Sequence, residues 1–170
     1  MARPLLFIWG MDTAYRLQPP HDISTTNSEI ARAYLARGEV AEAEEKWGLA
    51  LEHYGIGLSL LPKDTETGYF LFNNAAHCLN ALELYSEGES YCRRAIDIDS
   101  TRPEAYRNLA VSRHGQGNLR GSALCLVEAI KINPADERTV QLLKQLLTDH
   151  PTLSLQCSRI ARKLELIERR

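Results

Sequence analysis

Signatures of catalysis are missing from this 170-residue chain. It has no phosphate-cradling glycine loop, no H-E-x-x-H pair and no G-x-S-x-G elbow, so the chemistries those motifs carry have no vehicle here. Its five histidines, His21, His53, His77, His114 and His150, are dispersed; His77 and His114 fall near each other on stacked first helices, but neither has a metal-spaced carboxylate or cysteine companion nearby in sequence. No metal or cofactor is therefore expected, and the chain does not read as an enzyme. Cysteine is scarce and none of Cys78, Cys92, Cys125 and Cys157 forms a C-x-x-C pair. All four fall in helical patterns, which reads as buried free thiols in a reducing cytoplasm and excludes a disulfide framework. An excess of one charge is also absent: 20 basic against 22 acidic residues leave a net charge of −2, which argues against nucleic acid as a partner. The apolar run Pro4-Leu5-Leu6-Phe7-Ile8-Trp9 is too short to span a bilayer and lacks a small-residue cleavage site, so no membrane association is expected.

What the chain has instead is a period. Phe72 recurs as Tyr106, Asn74 as Asn108, Ala76 as Ala110, Tyr85 as Leu119, Ala95 as Ala129, Ile96 as Ile130 and Ile98 as Ile132, all at one constant spacing of 34. Small and aromatic residues repeated at that interval suit a helix-turn-helix unit that buries its apolar face only by stacking on its neighbours. One copy runs from Tyr106-x-x-Leu109-Ala110 through Gln116-Gly117-Asn118-Leu119 to Ala129-Ile130-x-Ile132-Asn133-Pro134. It resembles the tetratricopeptide repeat, departing at Ser122, where the family usually carries alanine. The preceding copy has Phe72-x-x-Ala75-Ala76, Leu84-Tyr85 and Ala95-Ile96-x-Ile98-Asp99, with Ser100 in place of the usual proline. An earlier copy aligns at a spacing of 45, pairing Ile30 with Ala75, Ala31 with Ala76, Val40 with Tyr85, Trp47 with Cys92 and Ala50 with Ala95.

The expected fold class is all-α, a right-handed superhelical solenoid of antiparallel helix pairs with C-terminal capping helices. Residues 1–23 form an apolar arm, and three repeats occupy about 24–64, 69–102 and 103–136. A capping helix follows to 149, and a last helix occupies 150–170. Alanine at helix crossings such as Ala95 and Ala129 lets the backbones approach to about 8 Å. Thr26 with Glu29 and Thr101 with Glu104 read as capping boxes, the second with Pro103 in its first turn. Gly38 and Gly117 mark the reversals within a pair. The eleven extra residues of the first spacing fall in Leu51–Thr65, where Leu51, Tyr54, Leu58 and Leu61 keep helical spacing. The second helix of repeat one is thus expected to be overlong, ending near Leu61-Pro62. In that layout the chain resembles the three-repeat domains of large immunophilins and related co-chaperones.

After Pro134, Val140, Leu142, Leu143, Leu146 and Leu147 make an amphipathic helix, and Ile160, Leu164 and Ile167 lie on one side of a final one. Both are expected to cover the open end of the solenoid. Arg159, Arg162, Lys163, Arg169 and Arg170 give the tail a small basic excess without interleaved aromatics, too little for a nucleic-acid surface.

The available chemistry is recognition. First helices that bury one stripe leave a second facing the concave side: Asn73, Asn74, His77 and Asn80 in repeat two, and Arg107, Asn108, Val111 and His114 in repeat three. Repeat one offers Ser28, Glu29, Arg32 and Leu35. The groove so predicted is polar, rich in amides and mildly basic, and Arg32 and Arg107 would favour an acidic segment. The resemblance implies a carboxylate clamp needing lysine at Ser28, asparagine at Arg32, asparagine at Asn74, lysine at Glu104 and arginine at Asn108. Only Asn74 fits, and Glu104 carries the wrong sign. The sequence therefore predicts a cytoplasmic, non-catalytic adaptor or scaffold that binds a peptide or protein segment. The alternative is a homodimer in which the arm or final helix docks on the second copy.

Overall fold

The structure, a computed structural model, describes residues 23–60 and 62–156. Seven helices carry the architecture: α1 (Ile23–Ala43), α2 (Trp47–Ser59), α3 (Thr65–Ala81), α4 (Tyr85–Ile98), α5 (Pro103–Gly115), α6 (Leu119–Ile132) and α7 (Glu137–Asp149). A six-residue turn of helix, α8 (Pro151–Gln156), follows. Among the described residues there is no strand. Each helix packs on the next, while α1 also touches α3 and α3 touches α5. The first helices thus line one side of an all-α solenoid of antiparallel pairs. The apolar arm, Cys157 and the part of the expected last helix beyond Gln156 lie outside the described residues.

The repeats meet through small residues and aromatics. Ala31, Ala50, Tyr54, Leu71, Ala75 and Cys78 form one buried cluster joining repeats one and two. Tyr69, Ala95 and Ala105 form the next. The third joins Leu109, Ala110, Leu126 and Ile130 to Leu143, Leu146 and Leu153, so α7 and α8 cover the downstream end. Burial pushes the Cys78 and Cys92 thiols up to about 12, with the Glu42 carboxylate adding to the effect at Cys78.

Repeat one differs from its expected register. The turn residues with positive φ are Glu45, Glu83 and Gly117, so equivalent turns recur at a spacing of 38 and then of 34. Helix α2 starts at Trp47 and α4 at Tyr85, again 38 apart. The aligned spacing of 45 is therefore seven residues too long. A seven-residue slip is about two helical turns and returns apolar positions to nearly the same face, so periodicity cannot detect it.

Three local expectations change with the register. Helix α2 has 13 residues and ends at Ser59, so it is not overlong. The four extra residues sit in α3, which has 17 against 13 in α5. The irregularity behind the likeness to large immunophilins shrinks accordingly from eleven residues to four. Gly38 does not end a helix: it lies inside α1, where a Cβ would come within 2.2 Å of the Tyr54 ring. Neither capping box forms. Thr26 is already within α1, and Thr101 turns back to bond Asp99 while Arg102 takes the N-cap position of α5. Pro103 does open α5, and Gly117 does make the reversal.

Candidate functional site

The concave faces of α3 and α5, closed at the ends by α1 and α7, enclose a groove of about 350 Å³. Asn73, Asn74, His77 and Asn80 line it from α3, and Arg107, Asn108 and Val111 from α5. A smaller hollow of about 260 Å³ continues it between α5, α6 and α7, with His114 on its wall. Val111 and Leu142 belong to both hollows, and both are exposed apolar side chains. Glu42, Arg138 and Leu142 are lining residues that sequence reasoning misses. Glu42 enters only in the register of 38, and the pattern of α7 shows a cap without revealing a groove-facing side.

The amides are bonded to one another across the repeats. The Asn108 side chain donates to the Asn73 backbone carbonyl at 3.2 Å and to its side-chain oxygen at 3.0 Å. Asn73 in turn donates to Asn74 at 3.0 Å. Asn80 donates to the Asn108 carbonyl at 2.9 Å and accepts from the Ser112 hydroxyl at 2.7 Å. Asn73 and Asn80 are buried. These side chains tie α3 to α5 as well as lining the groove.

The charges are paired too. Glu42 receives His77 Nδ1 at 2.7 Å on one oxygen and the Tyr54 hydroxyl at 2.7 Å on the other. Burial alone would raise the Glu42 carboxyl, but the His77 and Tyr54 hydrogen bonds outweigh it and hold the group below its usual value. Burial and the Glu42 carboxylate both push the Tyr54 hydroxyl up. Arg107 pairs closely with Asp136 and more loosely with Glu104, at 3.9 Å. The groove is consequently of mixed charge, in place of the basic centre expected.

Arg32 lies apart from the groove-lining residues and shares its arrangement with Arg107. It reaches Asp64, the N-cap of α3, at 3.0 and 2.7 Å, and Thr67 bonds the same carboxylate at 2.6 Å. Asp136 caps α7 in the same way, bonded by Arg107 and by the Thr139 hydroxyl at 2.7 Å. In both places an arginine of one first helix grips the cap of a later helix with an Asp-x-x-Thr start. The Thr67 hydrogen bond, followed by Arg32, lowers Asp64 to about 2. A depressed carboxylate adds stability above its unfolded value, 3.8 here, and loses it as pH falls through the folded value. Acid unfolding should therefore include an Asp64 contribution between about pH 4 and pH 2. Asp64→Ala should cost about 1 kcal/mol at neutral pH, the usual loss for a helix cap. That deficit should shrink across the same window in denaturant titrations, and a deficit independent of pH would contradict the assignment.

The geometry defines the class: the chain has the tetratricopeptide-repeat fold. It is similar to the TPR domain of Arabidopsis OM64, with a TM-score of 0.65 at 20% identity over 71% of this chain and 96% of that one. The second TPR domain of human RPAP3, solved in complex with the HSP70 peptide SGPTIEEVD, gives 0.63 at 20% identity, covering 72% and 97%. The Hsp90 co-chaperone Cns1 of Saccharomyces cerevisiae gives 0.70 at 21% identity, covering 84% of this chain and 46% of that one. No family model matches the chain. In sequence it is 33% identical over 88 residues to the photosystem I assembly protein Ycf3 of Cyanophora paradoxa. That match spans 51% of this chain and half the length of that protein. Among the described residues no helix is long and apolar enough to cross a membrane.

Proposed function

We propose that the chain is a non-catalytic adaptor that holds a segment of another protein in this concave groove. The observation that carries the reading is the exposed apolar pair Val111 and Leu142 on the groove floor, 45% and 38% accessible and shared by its two hollows. Apolar side chains inside a concavity, ringed by polar groups that fix orientation, suit a peptide anchor. Asn74, His77 and His114 flank that floor on first-helix positions, with Arg107 and Arg138 on the α5–α7 side. The RPAP3 domain of the same fold was solved with a peptide bound, which supports a peptide ligand here. Likeness to a photosystem I assembly protein fits a role in holding partners together.

The ligand differs from a chaperone tail held by its terminal carboxylate. The corrected register moves the two first-repeat clamp positions from Ser28 and Arg32 to Leu35 and Glu39, so the requirement for lysine and asparagine fails there as well. With Glu104 also in the clamp, two carboxylates would face the ligand's own. An internal segment with an apolar anchor meets no such repulsion. Once a partner is isolated by crosslinking and affinity capture, Val111→Asp with Leu142→Asp should weaken it at least tenfold, about 1.4 kcal/mol. The helical circular dichroism should persist, since both side chains are exposed. Wild-type affinity in the double variant would place the partner elsewhere.

A further inference from the structure

The two ends of the solenoid are treated differently. Downstream, α7 and α8 bury Leu143, Leu146 and Leu153 against repeat three. Upstream, the face of α1 and α2 that corresponds to a buried repeat junction is open among the described residues. On α3, Leu71, Ala75 and Cys78 press into repeat one and are fully buried. On α5 the equivalent positions are the buried Ala105, Leu109 and Ser112. On α1 they are Ala33, Arg37 and Val40, none of them buried, with Val40 63% accessible where Cys78 is 0%. The second helices agree: Tyr91 of α4 packs against the cluster of repeat one, while its α2 counterpart His53 borders an open hollow of about 370 Å³ with Val40 and Leu49. The equivalence is visible in the ring pairs, Phe72 with Tyr91 at 5.7 Å and Tyr34 with His53 at 6.0 Å. His53 Nδ1 is buried and without a hydrogen-bond partner among the described residues.

We propose that residues 4–9 of this same chain, Pro4-Leu5-Leu6-Phe7-Ile8-Trp9, dock on this face and complete the upstream end of the solenoid. The segment is apolar where the face is apolar, with Val40 and Leu49 exposed on it. Reach is sufficient. Val40 lies about 25 Å along α1 from Ile23 at 1.5 Å per residue. The fourteen residues from Trp9 to Ile23 span up to about 45 Å when extended. The arm can thus run back beside α1 to Val40 and Leu49. The groove lies on other faces of the first helices and stays free for a ligand.

The test follows Trp9 in the full chain carrying Trp47→Phe, which leaves it as the sole tryptophan. Its emission should be that of a buried indole, with acrylamide quenching several-fold weaker than for a solvated one, and light scattering should give a monomer. Adding Val40→Asp and Leu49→Asp should shift the emission to the solvated value. Leu6→Asp with Ile8→Asp, which leaves the described domain untouched, should do the same with helical dichroism retained. A solvated Trp9 in the parent variant would overturn the proposal, as would a buried Trp9 that neither pair of substitutions releases. Burial accompanied by a dimeric mass that both pairs convert to a monomer would overturn it in favour of a second copy on this face.

Discussion

Alanine at Gly38 should lower stability by about 2 kcal/mol, although alanine is the better helix former by about 1 kcal/mol. The new Cβ would lie 2.2 Å from Cε1 and 2.6 Å from Cδ1 of Tyr54. That ring cannot swing aside, because Tyr54 is fully buried and its hydroxyl is held by Glu42 at 2.7 Å. Either α1 and α2 separate or the Tyr54–Glu42–His77 chain breaks, and both loosen repeat one. Gly55→Ala is the matched control, since a Cβ there meets nothing within 4 Å. It should stabilise by roughly 0.5 to 1 kcal/mol through propensity alone. Urea midpoints of the two variants should move in opposite directions. A stabilising Gly38→Ala would show that α1 and α2 are not in this register.

Asn80→Ala should cost about 1 to 3 kcal/mol, as expected when a buried polar group loses its partner. The amide donates to the Asn108 carbonyl and accepts from the Ser112 hydroxyl, and Ser112 is wholly inaccessible to solvent. Removing Asn80 takes away the acceptor for that hydroxyl, although Ser112 also bonds the carbonyl of Asn108 at 3.1 Å within its own helix. Removing both partners costs less than the sum of the separate losses, because no group is then left stranded. Ser112→Ala should therefore be less destabilising in the Asn80→Ala background than alone. A double-mutant cycle by chemical denaturation reads this as a coupling of about 0.5 kcal/mol or more. Strict additivity would mean that Asn80 does not link α3 to α5 through Ser112.

Asn80 is legible in the sequence as a groove residue, and the structure gives it a second role that spacing does not reveal. Periodicity shows that a side chain leaves the apolar stripe without saying whether it meets solvent or the neighbouring helix. Arg32 shows the same limit from the other side. It carries an available-looking charge in sequence, and its partner Asp64 lies 32 residues away, in the connection between the first two repeats where the sequence register fails. Glu42 and Leu142 escape sequence reasoning because one depends on that register and the other sits on a helix whose pattern shows only a cap.

The sequence by itself determined the repeat and the fold class. Repeats two and three announce themselves at a spacing of 34 because aromatic, small and branched apolar positions recur together, and the interval fits a stacked helical pair. Gly117 could be placed as a turn because a left-handed conformation favours glycine. Repeats one and two put Glu45 and Glu83 in that conformation instead, so the punctuation is lost and Gly38 takes its place in the reading. A shift of 38 or of 45 leaves much the same face of the helix apolar. Only tertiary contact separates them, since only one brings Tyr54 over Gly38 and Leu71 against Gly57. The register of the first repeat, and with it the charge balance of the groove and the open upstream face, was decided by packing.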